Sequence, residues 1–430
     1  MTLRHIKSAP LAALILLVAH AAPPAPAPYL TLAAAREQAL ARNADLRVAE
    51  TQVAAAFAQR QGAHEIPNPT LGLSTSKLNT DHRSNRTDLG NGLLDRSFDT
   101  IVSLGQLIEL GGKRGLRQAS AASALQVAEA QRDDVRRLLL LAVTQAYVAT
   151  VSSRDIATVR LASAASLRRE AEIAGHRFAA GDISSADRTQ IELAAGQLEL
   201  DAAQARRDAA AAALLLETLL GEPQPTGTIA LTASLAELVP LDLTNAASAP
   251  RPDLAAATAN LAKADSDLDL ARRGRVPDVT VSVQYERQPP DQPNTVGVGV
   301  SLPLPLWNRN GGAIAGARSA RAQAAATLDK TRTQAAADVA GARIALATAA
   351  ERAQRYAATL EPQSAAIAAT LSYAYEHGGA SLLEMLAAQR NHNDVRLAAL
   401  LARADWLVAS AALTTALNRP DPTVVDRSAP

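Results

Sequence analysis

Gly181-Asp182-Ile183-Ser184-Ser185-Ala186-Asp187 and Gly378-Gly379-Ala380-Ser381-Leu382-Leu383-Glu384 are two versions of one turn, 197 positions apart. The same displacement carries Phe178 onto Tyr375, Gly221 onto Asn418 and Pro223 onto Pro420, and Ser103-Leu104 meets Ser301-Leu302 at 198. Each half therefore holds one copy of a unit ordered helix, strand, loop, strand, very long helix, tight turn, helix. A period this long marks a duplicated domain rather than a solenoid of short repeats. The first copy spans 31–221 and the second 251–418, with a Pro/Thr/Ala/Leu-rich connector over 222–250 and a tail over 419–430.

Ahead of the first copy, Arg4 and Lys7 precede an apolar stretch from Ala9 to Ala19, and Ala19-His20-Ala21 offers a small-x-small cleavage site. Residues 1–21 read as a secretory signal peptide, too short in its apolar part to cross a bilayer. The Pro/Ala-rich segment 22–30 reads as an extended lead-in. The chain has no cysteine, which excludes disulfide stapling, thiolate metal sites and thiol catalysis, and leaves no cysteine for a lipid anchor. It is rich in alanine, with 3% aromatics and a formal net charge of +1. That is poor material for a bulky core and good material for long helices whose backbones approach closely. Lys and Arg interleave with Asp and Glu along helix faces, the pattern of a solvated surface, so no nucleic acid partner is expected.

Residues 31 to about 63 carry a helical pattern that Ile66-Pro67-Asn68-Pro69 ends, because a proline excludes the residue before it from the helical region. Short strands follow at about 69–76 and 99–104, around a polar loop from Lys77 to Phe98. The second half repeats them at about 279–286 and 295–302, across a loop from Arg287 to Asn294. Val279, Val281, Val283 and Tyr285 alternate with polar residues, and Val296, Val298 and Val300 alternate with Gly297, Gly299 and Ser301. Such period-two patterning marks a half-buried strand. From Gly112 to Gly175 no proline intervenes, so this helix reaches about 95 Å at about 1.5 Å per residue. Its counterpart from Gly312 to Tyr375 carries Pro362, which should kink or break it. The returning helices show small apolar residues every seven positions, among them Ile191, Leu198, Ala205 and Ala212, the seams of side-by-side helix packing.

After the signal, no uninterrupted apolar run approaches the ~20 residues of a membrane helix. A bilayer, if met, is met through strands, and their apolar faces are the expected lipid contact: Val279, Val281, Val283, Tyr285, Val296, Val298 and Val300. Four strands cannot close a barrel, and open edges in lipid leave backbone groups unpaired at several kcal/mol each. Three chains would supply twelve strands and a ring of long helices. The alternative from a different class is a periplasmic coiled-coil structural protein with small sheets at one end.

The duplicated order, the Ile66-Pro67-Asn68-Pro69 junction, and Gly378 with Ser381-Leu382-Leu383-Glu384 and Ala388-Gln389 resemble the TolC family of outer-membrane efflux proteins. Gly105-Gln106-Leu107-Ile108-Glu109-Leu110-Gly111-Gly112-Lys113-Arg114 is similar to the CzcC-like branch that serves cobalt, zinc and cadmium efflux. The resemblance implies a mainly α fold with a small β part: a homotrimer with a twelve-stranded barrel in outer-membrane lipid and an α-helical tunnel in the periplasm. It implies as partners a periplasmic adaptor, or membrane fusion protein, and an inner-membrane resistance-nodulation-division pump. Other cargoes, drugs or type I secreted polypeptide, remain open.

On this reading the turns at Gly181 and Gly378, with Ser381 and Leu382, form periplasmic tips that meet the adaptor. Asp182, Glu376, Asp187 and Glu384 are candidates for acidic rings at the pore constriction. Ser184-x-x-Asp187 and Ser381-x-x-Glu384 also fit a capping box, which favours a helix-starting role for Asp187 and Glu384. The family's paired gating aspartates have no match in Tyr373-Ala374-Tyr375-Glu376-His377. Gly111-Gly112-Lys113 is no phosphate loop, since Leu107 and Arg114 stand where Gly and Ser or Thr are needed. His64, His82, His176, His377 and His392 show no metal-ligand spacing. No nucleophile and base are paired, so no enzyme activity, cofactor or resident metal is expected.

Overall fold

The computed structural model describes residues 30–76, 99–240, 243, 247–288, 292–419 and 424–426. The expected signal peptide, most of the expected lead-in, and the loop expected over 77–98 with His82 lie outside the described residues. The first expected helix is two: α1 (Leu32–Arg42), capped by Thr31, and α2 (Ala44–His64). Asn43 separates them with an extended backbone, because its side chain has two tasks there. Its Oδ1 accepts from Asp45 N and Leu46 N, starting α2, while its Nδ2 donates to Leu219 O at 3.0 Å.

Strands β1 (Thr70–Ser76) and β2 (Asp99–Ile108) lead into α3 (Lys113–Ala179), whose 67 residues span about 100 Å. Helix α4 (Ser185–Leu219) returns beside it. The second copy runs α5 (Pro252–Arg273), β4 (Val279–Gln288), β5 (Gln292–Ser301), α6 (Gly311–Arg355), α7 (Glu361–Glu376) and α8 (Leu382–Ala416). Between α6 and α7 the chain makes one π-turn, Tyr356–Leu360, in which Glu361 N donates to Tyr356 O. This is the local break expected of Pro362: the wider turn accommodates a residue that has no N–H to give and whose ring crowds the carbonyl four residues back.

Helix α3 packs against α2, α4, α5 and α8, while α6 packs against α5 and α8. Helices α4 and α2 meet end to end, and so do α8 and α5: Ala249 N donates to Leu417 O, and Asn418 Nδ2 to Pro250 O. Gly221 and Asn418, the pair related by the repeat, both take positive φ at these junctions. Helix α8 is apolar enough by length and composition to cross a membrane; it packs against α3, α6 and α7, and its Leu407 and Leu413 are buried.

Strands pair antiparallel in the order β1-β2-β4-β5, which repeats the helix order α2-α3-α5-α6 because each strand continues one of those helices. Both outer strands have one edge unpaired among the described residues. Pairing carries β2 on to Ile108 and extends β4 and β5 toward each other, so the loop expected from Arg287 to Asn294 shrinks, with residues 289–291 outside the described residues.

The largest departure is the connector. Leu231, Ala233, Leu235 and Leu238 are buried with Leu32, Val143, Tyr147, Leu216 and Leu407 in the main core. Strand β3 (Leu238–Pro240) pairs with β6 (Val424–Asp426) of the tail. The connector is thus a belt at mid-length. Arg403 donates to the carbonyls of Leu235, Ala236 and Leu238, and Arg154 to those of Leu231 and Ala233. The buried Glu217 carboxylate accepts from four successive backbone N–H groups, Thr226 to Ile229, at 2.5–3.1 Å.

Candidate functional site

The sheet has two unlike faces. On one, Leu71, Leu104, Val283 and Val298 form a row across all four strands, and Leu73, Val102, Tyr285 and Val296 form the next. All eight are exposed, Val296 and Val298 by 74% and 77%. Val300 is exposed as well, whereas Val279 and Val281, nearer the helices, are half-buried. The opposite face carries Gly72, Ser103, Gln284 and Gly297 in one row. Its glycines leave room for polar neighbours: a Cβ on Gly72 would lie 2.6 Å from Ser103 Oγ, and one on Gly299 2.7 Å from Ser282 Oγ.

Where sheet meets helices, Gly111 and Gly112 both take positive φ and swing the chain from β2 into α3. Lys113 Nζ pairs with Asp278 at 2.7 Å, and Asp278 also accepts from Leu110 N. Arg117 grips Glu109 with both Nη1 and Nη2. The motif that imitates a phosphate loop is thus a splice between the two copies, since Asp278 leads into β4.

At the far end, Gly181 (φ +83°) and Gly378 (φ +75°) turn the chain identically. Asp182 N donates to Arg177 O, and Gly379 N to Ala374 O, five residues back in each case. Ser184 and Asp187 cap α4 reciprocally, as Ser381 and Glu384 cap α8. These bonds hold the Glu384 carboxyl below its ordinary range, chiefly through the Ser381 N–H. Asp182 and Glu376 are exposed. The two tips are joined: Ile191, Leu382, Met385 and Leu386 share a core with Leu167, and the Arg177 guanidinium lies 5.5 Å from the Tyr375 ring centre. Leu382, expected on the docking surface, is buried (8%), and Leu383 is the exposed leucine of that turn (66%). Helical spacing explains this, because 382, 385 and 386 share one face.

His176 and His377 are exposed near the tips, and His392 Nδ1 lies 3.0 Å from Ser364 Oγ. Among the described residues no His, Cys, Asp or Glu cluster could hold a metal ion.

The family model for outer membrane efflux proteins matches residues 35–222 and 243–419. The chain belongs to the outer membrane efflux protein family. This efflux protein is 27% identical over 290 residues to the cobalt-zinc-cadmium resistance protein CzcC of Cupriavidus metallidurans, covering 66% of this chain and 65% of CzcC. It is 30% identical over 263 residues to the pyoverdine export outer membrane protein OpmQ of Pseudomonas aeruginosa, covering 57% of this chain and 54% of OpmQ. The matched stretches thus span between about half and two thirds of these curated relatives. In fold it is similar to the CmeC outer membrane channel of Campylobacter jejuni, with a TM-score of 0.74 at 17% identity over 91% of this chain and 87% of that one. The resemblance carried by the repeated turns holds, and the alternative of a coiled coil without a membrane part falls away.

Proposed function

We propose that three copies of this chain join β5 of one to β1 of the next, closing a twelve-stranded barrel in the outer membrane above a helical tunnel. The observation that carries this is the sheet itself: an exposed apolar face, a small-residue polar face and two edges unpaired among the described residues. In lipid, such edges are satisfied only by closure. The chain serves as the passive exit duct of a tripartite efflux system. Its tip turns at Gly181, Gly378 and Ser381, with exposed Leu383, dock a periplasmic adaptor, and an inner-membrane resistance-nodulation-division pump supplies the energy. Asp182 and Glu376, exposed beside the turns, form rings of negative charge around the exit path that favour cations.

The cargo we assign is divalent heavy-metal cation, of the cobalt, zinc and cadmium class. Similarity to CzcC supports this. Similarity to OpmQ favours a second reading, an organic cargo such as a siderophore. A deletion strain separates them: metal sensitivity with unchanged siderophore release supports the first reading, and the reverse pattern refutes it.

A further inference from the structure

Halfway along the molecule, where the end of α8 meets the start of α5, lies a cavity of about 770 Å³. Five arginines line it, Arg36, Arg136, Arg137, Arg251 and Arg419, against one carboxylate, Asp133. That carboxylate is already paired with Arg132 at 2.7 Å. Arg137 is held by Asp134 and donates to Thr415 O, and Arg36 donates to Thr144 Oγ1, so these guanidiniums are fixed in place. Arg251 is 6% exposed and pairs with Asp253 and Asp338 through Nε and Nη2, yet its buried Nη1 has no partner. Arg136 and Arg419 are exposed and form no ion pair among the described residues. Helix α5 also starts here without a side-chain cap, because its N-cap residue is Arg251 itself and Pro252 follows.

Five arginines against one lining carboxylate, two of them exposed and without an ion pair among the described residues, demand negative charge; the unpartnered Nη1 of Arg251 adds to that demand, while at the start of α5 Asp253 already accepts from Leu254 N. We propose that this cavity is a binding site for a tetrahedral oxyanion of the phosphate class. Arginine forks match such oxygens two at a time, which a chloride ion cannot satisfy. The anion bridges Arg419, just past the end of α8, to Arg251, the N-cap of α5, and so clamps the end-to-end helix junction. The source is dissolved anion rather than lipid. Helix α5 has 22 residues, which places the cavity about 33 Å from the strands at about 1.5 Å per residue, beyond headgroups at the sheet.

The test uses the full chain purified in maltoside detergent, with inorganic phosphate titrated at constant ionic strength and chloride as the control. A saturable rise in melting temperature with phosphate and none with chloride is expected. In the double variant Arg136→Ser with Arg419→Ser, the phosphate midpoint should move at least tenfold, with circular dichroism and phosphate-free melting unchanged. Arg136→Lys with Arg419→Lys should recover part of the affinity. A flat phosphate titration, or the same midpoint in the wild-type chain and the Ser variant, would overturn the site. So would stabilisation by phosphatidylglycerol-doped micelles in place of dissolved phosphate. None of these outcomes bears on barrel closure or cargo, so the duct reading stands or falls separately.

Discussion

Val296 lies at the middle of the ten-residue strand β5, in the row Leu73, Val102, Tyr285, Val296. Replacing it with arginine puts a cation on the lipid side near the mid-depth of the proposed barrel. Such a substitution costs about 2–4 kcal/mol at the bilayer midplane, so three copies cost about 6–12 kcal/mol per closed barrel, comparable to the whole folding stability of an ordinary domain. The paired control is Gln284→Arg, one row toward the helices on the opposite face, beside Ser103 and Gly297. There the guanidinium meets water, and the cost is near zero. Outer-membrane fractions are separated and the heat-sensitive oligomer is quantified on gels. Val296→Arg should lose most of that band, while Gln284→Arg keeps it. Equal assembly of both variants, or equal failure of both, would show that the two faces have been assigned wrongly.

Three further outcomes follow from particular contacts. Glu217→Ala removes the shared acceptor of four backbone donors, at about 1–3 kcal/mol for each left without water, so the belt over 222–240 should become open to limited proteolysis while the tips stay resistant. The Glu384 carboxyl is held below its ordinary value, so its cap is fully present above the usual glutamate range and is lost as pH falls through the lowered value. Amide exchange at the start of α8, corrected for its intrinsic pH dependence, should therefore accelerate in that acidic window, and Glu384→Gln should flatten the response. Gly378→Val should cost about 1–2 kcal/mol from the left-handed backbone alone, because a Cβ there meets no atom within 4 Å. Thermal melting should show a clearly smaller loss for Gly378→Asn.

Much of this was legible in the chain. The 197-residue repeat predicts matched turns, and Gly181 and Gly378, Ser184 and Ser381, and Gly221 and Asn418 do adopt matched conformations. Period-two patterning located β4 and β5, and the repeat places two strands at the matching positions of the first copy. The break at Asn43 left a faint local sign, an asparagine followed by Ala44-Asp45 at a helix start, but the force behind it is Leu219 O, brought from 176 residues away. The belt reads in sequence as a Pro/Thr/Ala/Leu-rich connector, although Leu231, Ala233 and Leu235 alternate as a half-buried extended segment does. Glu217 gave no sign at all, since its partners are backbone amides and any sequence supplies those. The turn motif alone puts Leu382 on the surface, whereas the helical face it shares with Met385 and Leu386 buries it.

The central claim is that three chains, edge to edge, make one closed duct. The chain has no cysteine, so engineered pairs report cleanly. Scanning one cysteine along β1 between Thr70 and Ser74 against one along β5 between Val296 and Val300, in intact cells under oxidation, measures that closure directly. At one register the account predicts a ladder of two and three linked chains that ends at three. A ladder that runs on past three, or stops at two, or no linkage at any register, would contradict it.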